Sequence, residues 1–118
     1  MLRTSSGGCL DTTRYYAKLI GTCDDEASAP RLFERTSAGM LLRSSDGRCL
    51  DAGPGVARNW RSLRMAGCRG RDTQLFSFAD DGALVVAEDG RCVIEASGGL
   101  AKFYECGRKS SEQSFTLG

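Results

Sequence analysis

This sequence predicts an all-β chain built from three like units, and three observations carry the prediction. One short motif is written three times, as Gly7-Gly8-Cys9-Leu10-Asp11, Asp46-Gly47-Arg48-Cys49-Leu50-Asp51 and Asp89-Gly90-Arg91-Cys92-Val93-Ile94. Six cysteines recur in step with it: each motif cysteine is followed by a second, Cys23, Cys68 and Cys106. Between them run short apolar stretches broken by glycine-rich turns, and no window sustains a helical apolar period.

The motif cysteines lie 40 and 43 residues apart, a spacing that marks a repeat array. An apolar residue stands seven positions before each of them: Leu2, Leu42 and Val85. Each unit closes on a similar signature, Arg31-Leu32-Phe33, Gln74-Leu75-Phe76 and Gln113-Ser114-Phe115. The units run approximately 1–37, 38–78 and 79–118. None is long enough to fold alone, so one core within a single domain is expected to serve all three.

Turn signals recur at Ser5-Ser6-Gly7-Gly8, Asp46-Gly47, Gly53-Pro54-Gly55, Asp81-Gly82, Asp89-Gly90 and Gly98-Gly99. Asp-Gly between apolar runs is a hairpin signal, because glycine supplies the positive φ of the primed turns. About four short strands per unit follow, with little or no helix. Three four-stranded units around one core describe a β-trefoil, a six-stranded barrel capped by three hairpins. A closed barrel removes the sheet edges that a dozen short strands would expose. In this arrangement Leu2, Leu42 and Val85 converge on the axis, with Phe33, Phe76 and Phe115 beneath. A three-bladed propeller is the alternative, but it leaves no room for side chains at the axis.

Charge and composition exclude several functions. The formal net charge of +1 argues against a general polyanion binder, so no nucleic-acid partner is expected. Unit two stands apart, with seven arginines against three aspartates. The chain has no histidine, which removes the commonest general base and zinc ligand. No cofactor or metal site is expected. No apolar run approaches a membrane span, and no signal peptide is expected in it. Leu2 already falls in the first strand, which reads as a mature or excised domain.

With 13, 18 and 13 residues between partners, the simplest pairing is Cys9–Cys23, Cys49–Cys68 and Cys92–Cys106. Six cysteines permit 15 connectivities, and the repeat selects the one alike in every unit. Each loop would contribute about 3 kcal/mol in the chain-entropy model. Disulfides imply an oxidising, extracellular compartment, hence a secreted protein. Three reduced, buried pairs in a cytosolic protein are the other reading. Zinc is weaker still, since no Cys-x-x-Cys occurs.

These residues resemble the ricin B-type lectin family, with Gln-x-Phe standing where the family has Gln-x-Trp. The resemblance covers the whole chain, in three repeats. It implies a β-trefoil and one shallow sugar pocket per unit. In that family the triplet aspartate accepts hydrogen bonds from sugar hydroxyls, and an aromatic two residues before the second cysteine stacks on the ring. A polar residue four before that cysteine and the closing Gln complete the pocket. A pyranose suits this set, having vicinal hydroxyls for a carboxylate and a C–H face for a ring.

Carried over, the resemblance leaves no unit complete. Unit one keeps Asp11 but puts Leu19 and Gly21 at the polar and platform positions and Pro30-Arg31 at its close. Unit two keeps Asp51 and Gln74, with Arg64 at the polar position and Ala66 at the platform. Unit three offers Tyr104 as platform, Lys102 as polar residue and Glu112-Gln113, while Ile94 replaces the triplet aspartate and Glu95 is displaced to the other face. Trp60, the single tryptophan, reads either as a platform over Asp51 or as a ring packed on the flank. Tyr15 and Tyr16 face a sugar at Asp11 or pack. Arg58, Arg61, Arg64, Arg69 and Arg71 suit an acidic or sulfated sugar, since guanidinium forks match carboxylate and sulfate. They equally suit a solvated basic face, or a partner for Asp24-Asp25-Glu26. Asp51 and Arg64 either clamp a sugar edge or close on each other as a salt bridge.

The functional expectation is a carbohydrate-binding lectin module, its pockets partly degenerate and best retained in unit two. The alternative is a degenerate trefoil that binds protein, as an inhibitor, adhesion module or toxin subunit, alone or fused to another domain. An enzyme is not expected, and the adjacent pairs Asp80-Asp81 and Asp24-Asp25 make no acid/base dyad.

Overall fold

The computed structural model describes residues 2–4, 8–12, 16–20, 33–43, 47–53, 59–107 and 114–117. Their strands are β1 (Leu2–Thr4), β2 (Cys9–Asp11), β3 (Lys18–Ile20), β4 (Phe33–Arg35), β5 (Leu41–Arg43), β6 (Arg48–Asp51), β7 (Arg64–Gly67), β8 (Phe76–Phe78), β9 (Leu84–Val86), β10 (Cys92–Glu95), β11 (Ala101–Tyr104) and β12 (Phe115–Leu117). No α-helix occurs among the described residues; single 3-10 turns stand at Asp72–Gln74 and Ser97–Gly99.

The strands form three four-stranded antiparallel sheets, ordered β12-β1-β2-β3, β4-β5-β6-β7 and β8-β9-β10-β11. Each closing phenylalanine strand therefore leaves its own sequence unit. β4 pairs with β5, β8 with β9 and β12 with β1, so every unit hands its last strand to the next. The β4–β5 and β8–β9 turns match. Thr36 N–H donates to Met40 O and Gly39 N–H to Thr36 O; Ala79 N–H donates to Ala83 O and Gly82 N–H to Ala79 O. Gly39 and Gly82 take φ of 90° and 87° there, which an L side chain resists.

The core is threefold because the strand pattern is. Leu10 opposes Leu19, Leu50 opposes Met65, and Val93 opposes Phe103, and all six are buried. Alternation with period two sets these six on one face, while Cys9, Cys49, Cys92 and Ile94 on the other face are buried as well. Phe33, Phe76 and Phe115 are buried as expected. Leu42 and Val85 are not: they lie opposite Cys49 and Cys92 and stay part-exposed, while Leu41, Leu84 and Val86 fill the core. A one-residue error in a period-two pattern changes the face. The side chain of Leu2 lies outside the described set.

At the pseudo-threefold axis the backbone closes a ring. Ala17 N–H donates to Leu63 O at 2.9 Å, Leu63 N–H to Ala101 O at 2.9 Å, and Ala101 N–H to Ala17 O at 3.0 Å. All three residues are fully buried. Bridges around this ring pair Tyr16 with Arg64, Ser62 with Lys102, and Leu100 with Lys18. The segment entering β3, β7 or β11 thus lies against the next unit, not its own.

Disulfides join Cys49–Cys68 and Cys92–Cys106, with Cα atoms 5.1 Å apart in each. Cys9 is disulfide-bonded; its expected partner, Cys23, lies outside the described residues.

Candidate functional site

The unit-two cleft is built around Asp51, at the end of β6. Its Oδ1 accepts the Gly53 N–H at 2.7 Å, and its Oδ2 accepts from Gln74 Nε2 at 3.1 Å. Gln74 is only 1% exposed and is saturated: Nε2 also donates to Gly67 O at 2.7 Å, while Oε1 accepts Arg69 N–H at 2.7 Å and Gly70 N–H at 3.2 Å. A single buried amide therefore ties the closing signature, the loop after β7 and the triplet carboxylate together. Each Asp51 oxygen keeps acceptor capacity beyond its protein bond. Asp51, Ala66, Gly67, Arg69, Arg71 and Thr73 line a cleft of about 320 Å³.

Arg64 opposes Asp51 in register but makes no ion pair with it. Arg64 Nε donates to Ser62 O at 3.3 Å, and its guanidinium sits 5.3 Å from the Tyr16 ring. It also covers Gly53, where a Cβ would meet the guanidinium carbon at 2.6 Å. In place of the expected closed salt bridge with Asp51, Arg64 makes a cation–π contact with Tyr16 of unit one.

Trp60 is displaced further. It does not stand over Asp51. Its N–H donates to Phe103 O at 2.7 Å, and its ring meets Tyr104 edge-on at 5.1 Å. Trp60, Ala96, Ser97, Leu100 and Lys102 line a separate pocket of about 220 Å³. The sequence candidates thus divide into Asp51 with Gln74, Arg64 with Tyr16, and Trp60 with Lys102 and Tyr104. Ile94 is fully buried core and Glu95 is exposed, so unit three has no triplet carboxylate facing its pocket.

Unit one is shifted by one residue from the expectation. Asp11 opposes Lys18, and Cys9 opposes Ile20. Lys18 and Ile20, rather than Leu19 and Gly21, are equivalent to Arg64 and Ala66. Leu19 is buried against Leu10, and a one-residue slip would turn it to solvent. Tyr16 is exposed but leans on Arg64 of unit two. Tyr15, Gly21, Pro30-Arg31, Arg58, Glu112-Gln113 and the acidic run at Asp24 lie outside the described residues.

The arginines do not crowd one pocket. Arg69 and Arg71 line the Asp51 cleft. Arg61 is buried, ion-paired to Glu88 and to Asp89 at 3.5 Å, and lies 5.9 Å from the Phe103 ring. Its Nε and Nη1 are buried without a hydrogen-bond partner. Asp89 also pairs with Arg91 at 2.8 Å, and Arg91 Nε donates to Asn59 Oδ1 at 2.8 Å. This chain pins the 59–61 segment of unit two onto unit three. Spacing could not reveal it, since acid and base come from units apart in sequence. Asp81 Oδ1 turns back to accept the Ala83 N–H at 3.0 Å, a turn role.

A model of the ricin-type β-trefoil lectin domain matches residues 37–118. The chain belongs to that family. No curated protein matches it by sequence. Solved structures resemble this lectin domain across nearly its full length. GalNAc-T7 with UDP, GalNAc and manganese has a TM-score of 0.76 at 14% identity, over 99% of this chain and 21% of that one. Hemolytic lectin CEL-III has a TM-score of 0.75 at 18% identity, over 99% and 29%. The β-trefoil lectin of the Vibrio vulnificus hemolysin/cytolysin, with N-acetyl-D-lactosamine bound, has a TM-score of 0.70 at 16% identity, over 98% and 91%. At such identities the likeness is one of fold, and this lectin domain spans less than a third of the first two chains. Among its described residues no cluster of His, Cys, Asp or Glu could hold a metal, and no helix is long and apolar enough to cross a membrane.

Proposed function

We propose that this lectin domain is a carbohydrate-binding module whose principal sugar pocket is the unit-two cleft, and that residues 1–118 act as one trefoil. The observation that supports the site is the Asp51 carboxylate, held by the Gly53 N–H and the buried Gln74 amide with acceptor capacity left over. A fixed carboxylate accepts vicinal hydroxyls without first being ordered. Arg69 and Arg71 on the cleft wall favour a glycan bearing carboxylate or sulfate. The sugar held by the Vibrio vulnificus relative supports the glycan class. Family and disulfides support a secreted binding protein rather than an enzyme. Asp11 offers a lesser pocket in unit one.

A glycan array tests the reading, followed by titration of the best ligand against Asp51→Ala and Asp11→Ala. Losing a charged acceptor at Asp51 weakens binding about ten- to a hundredfold; the Asp11 change has a smaller effect. Undiminished binding by Asp51→Ala refutes the assignment. A second reading, a protein-binding trefoil, is favoured by Ala66 and Ile94, which leave units two and three without a ring and a carboxylate respectively. A silent array together with a stoichiometric protein partner would establish it.

A further inference from the structure

The pocket beside Trp60 has the wrong chemistry for a hydroxyl-accepting site and the right chemistry for something else. Its walls are an aromatic ring, Leu100, Ala96 and Ser97, with one cation, Lys102. The carboxylate that would accept hydroxyls is absent, since Ile94 is buried in the core. Lys102 is part-exposed and, among the described residues, makes no ion pair, whereas Arg61 and Arg91 are both committed to acids.

Trp60 is held at this pocket under strain. It is the one described non-glycine residue in the left-handed region, at φ 71°, where a bulky side chain is rare. Such strain persists only where the surroundings over-determine it. Here they do. The Trp60 N–H is bonded to Phe103 O. Asn59 Oδ1, one residue back, takes Arg91 Nε at 2.8 Å and Glu105 N–H at 3.2 Å. Arg61, one residue on, is buried among Glu88 and Asp89. Tyr104 supports the ring from its edge. Yet the ring remains 47% exposed.

We infer that the Trp60–Lys102 pocket, formed between units two and three, is a second binding site that takes a single anionic sugar ring, its C–H face on Trp60 and its carboxylate on the Lys102 ammonium. This rests on the carbohydrate-binding reading but not on the Asp51 cleft. A volume of about 220 Å³ lies below that of drug-sized pockets and suits one ring. The cation selects the charge, and the missing carboxylate removes the repulsion an acidic sugar would meet.

Trp60 is the single tryptophan, so fluorescence excited beyond the tyrosine absorption band reports on this site alone. The intact domain is titrated with methyl β-D-glucuronide and with the neutral methyl β-D-glucoside, up to about 50 mM, where millimolar sites saturate. A saturable change is expected with the glucuronide and a much weaker one with the glucoside. Lys102→Gln, a surface change, weakens the glucuronide response about tenfold. Asp51→Ala leaves it intact. Equal responses to the two sugars overturn the inference, as does loss of the response in Asp51→Ala. No response to the glucuronide overturns it too: if an array ligand still binds through Asp51, the unit-two reading survives; if the array is also silent, both fall.

Discussion

Replacing Gln74 by leucine removes four hydrogen bonds with one substitution. Three are to neutral backbone groups, the Arg69 and Gly70 N–H and the Gly67 carbonyl, and one is to the Asp51 carboxylate. A neutral bond contributes about 1 kcal/mol and a bond to a charge about 1.5–3 kcal/mol. The simple total overshoots, because Arg69, Gly70 and Gly67 are exposed and regain water. A loss of about 2–4 kcal/mol remains, from a total stability of about 5–15 kcal/mol. For a chain of this size that lowers the melting temperature by about 10 °C. Urea unfolding with disulfides intact measures it, and the same sample titrated with the best glycan shows whether Asp51 has lost its position. Gln74→Glu should impair binding at least as much, because it sets a second carboxylate against Asp51. A stability loss under about 0.5 kcal/mol for Gln74→Leu would refute the assignment of the buried amide as the brace of this cleft.

Other changes test the frame. Asp89→Ala strips an acceptor from Arg61, Arg91 and the Arg91 N–H at once, and should cost about 2–4 kcal/mol in urea unfolding; a loss under about 1 kcal/mol contradicts the latch between units two and three. Gly99→Ala should be clearly worse than Gly90→Ala. Both glycines have positive φ, but a Cβ at Gly99 meets Leu19 O at 2.8 Å, whereas Gly90 has nothing within 4 Å. Equal melting temperatures would refute that contact. Removing the Cys49–Cys68 disulfide as a double alanine variant should cost about 3 kcal/mol, with an unchanged denaturation midpoint as the contrary result.

What the sequence made legible was whatever repeats in step with the chain. The motif spacing paired Cys49 with Cys68 and Cys92 with Cys106, and the closing signature located Phe33, Phe76 and Phe115 in the core. The resemblance to the lectin family also brought Gln74 to Asp51, residues 23 apart that the structure joins by a hydrogen bond. What it hid was decided by single-residue steps and by neighbours across units. Counting back from Cys23 chose Leu19 where burial chose Lys18, because a loop can hold one more residue without leaving any mark in composition. Counting from the cysteines likewise chose Leu42 over Leu41. By sequence the platform role of Trp60 falls to Asp51 because the two share a unit, yet the chain entering β7 crosses to β11. Only the tertiary path decides which pocket such a loop serves. Arg61 reads as surface charge because nothing local announces Glu88.

The ring of Ala17, Leu63 and Ala101 makes the three units members of a cycle, not of a row. A row of repeats can lose or gain a member and reseal, since each interface repeats the last. In the cycle every member gives one donor to one neighbour and one acceptor to the other. Excising a member leaves a donor and an acceptor facing each other across a gap, both buried and both without water. The number three is thereby fixed by the geometry. The segments between the ring and the outer turns differ from unit to unit, setting Asp11 against Lys18, Asp51 against Arg64 and Ile94 against Lys102 at three equivalent stations.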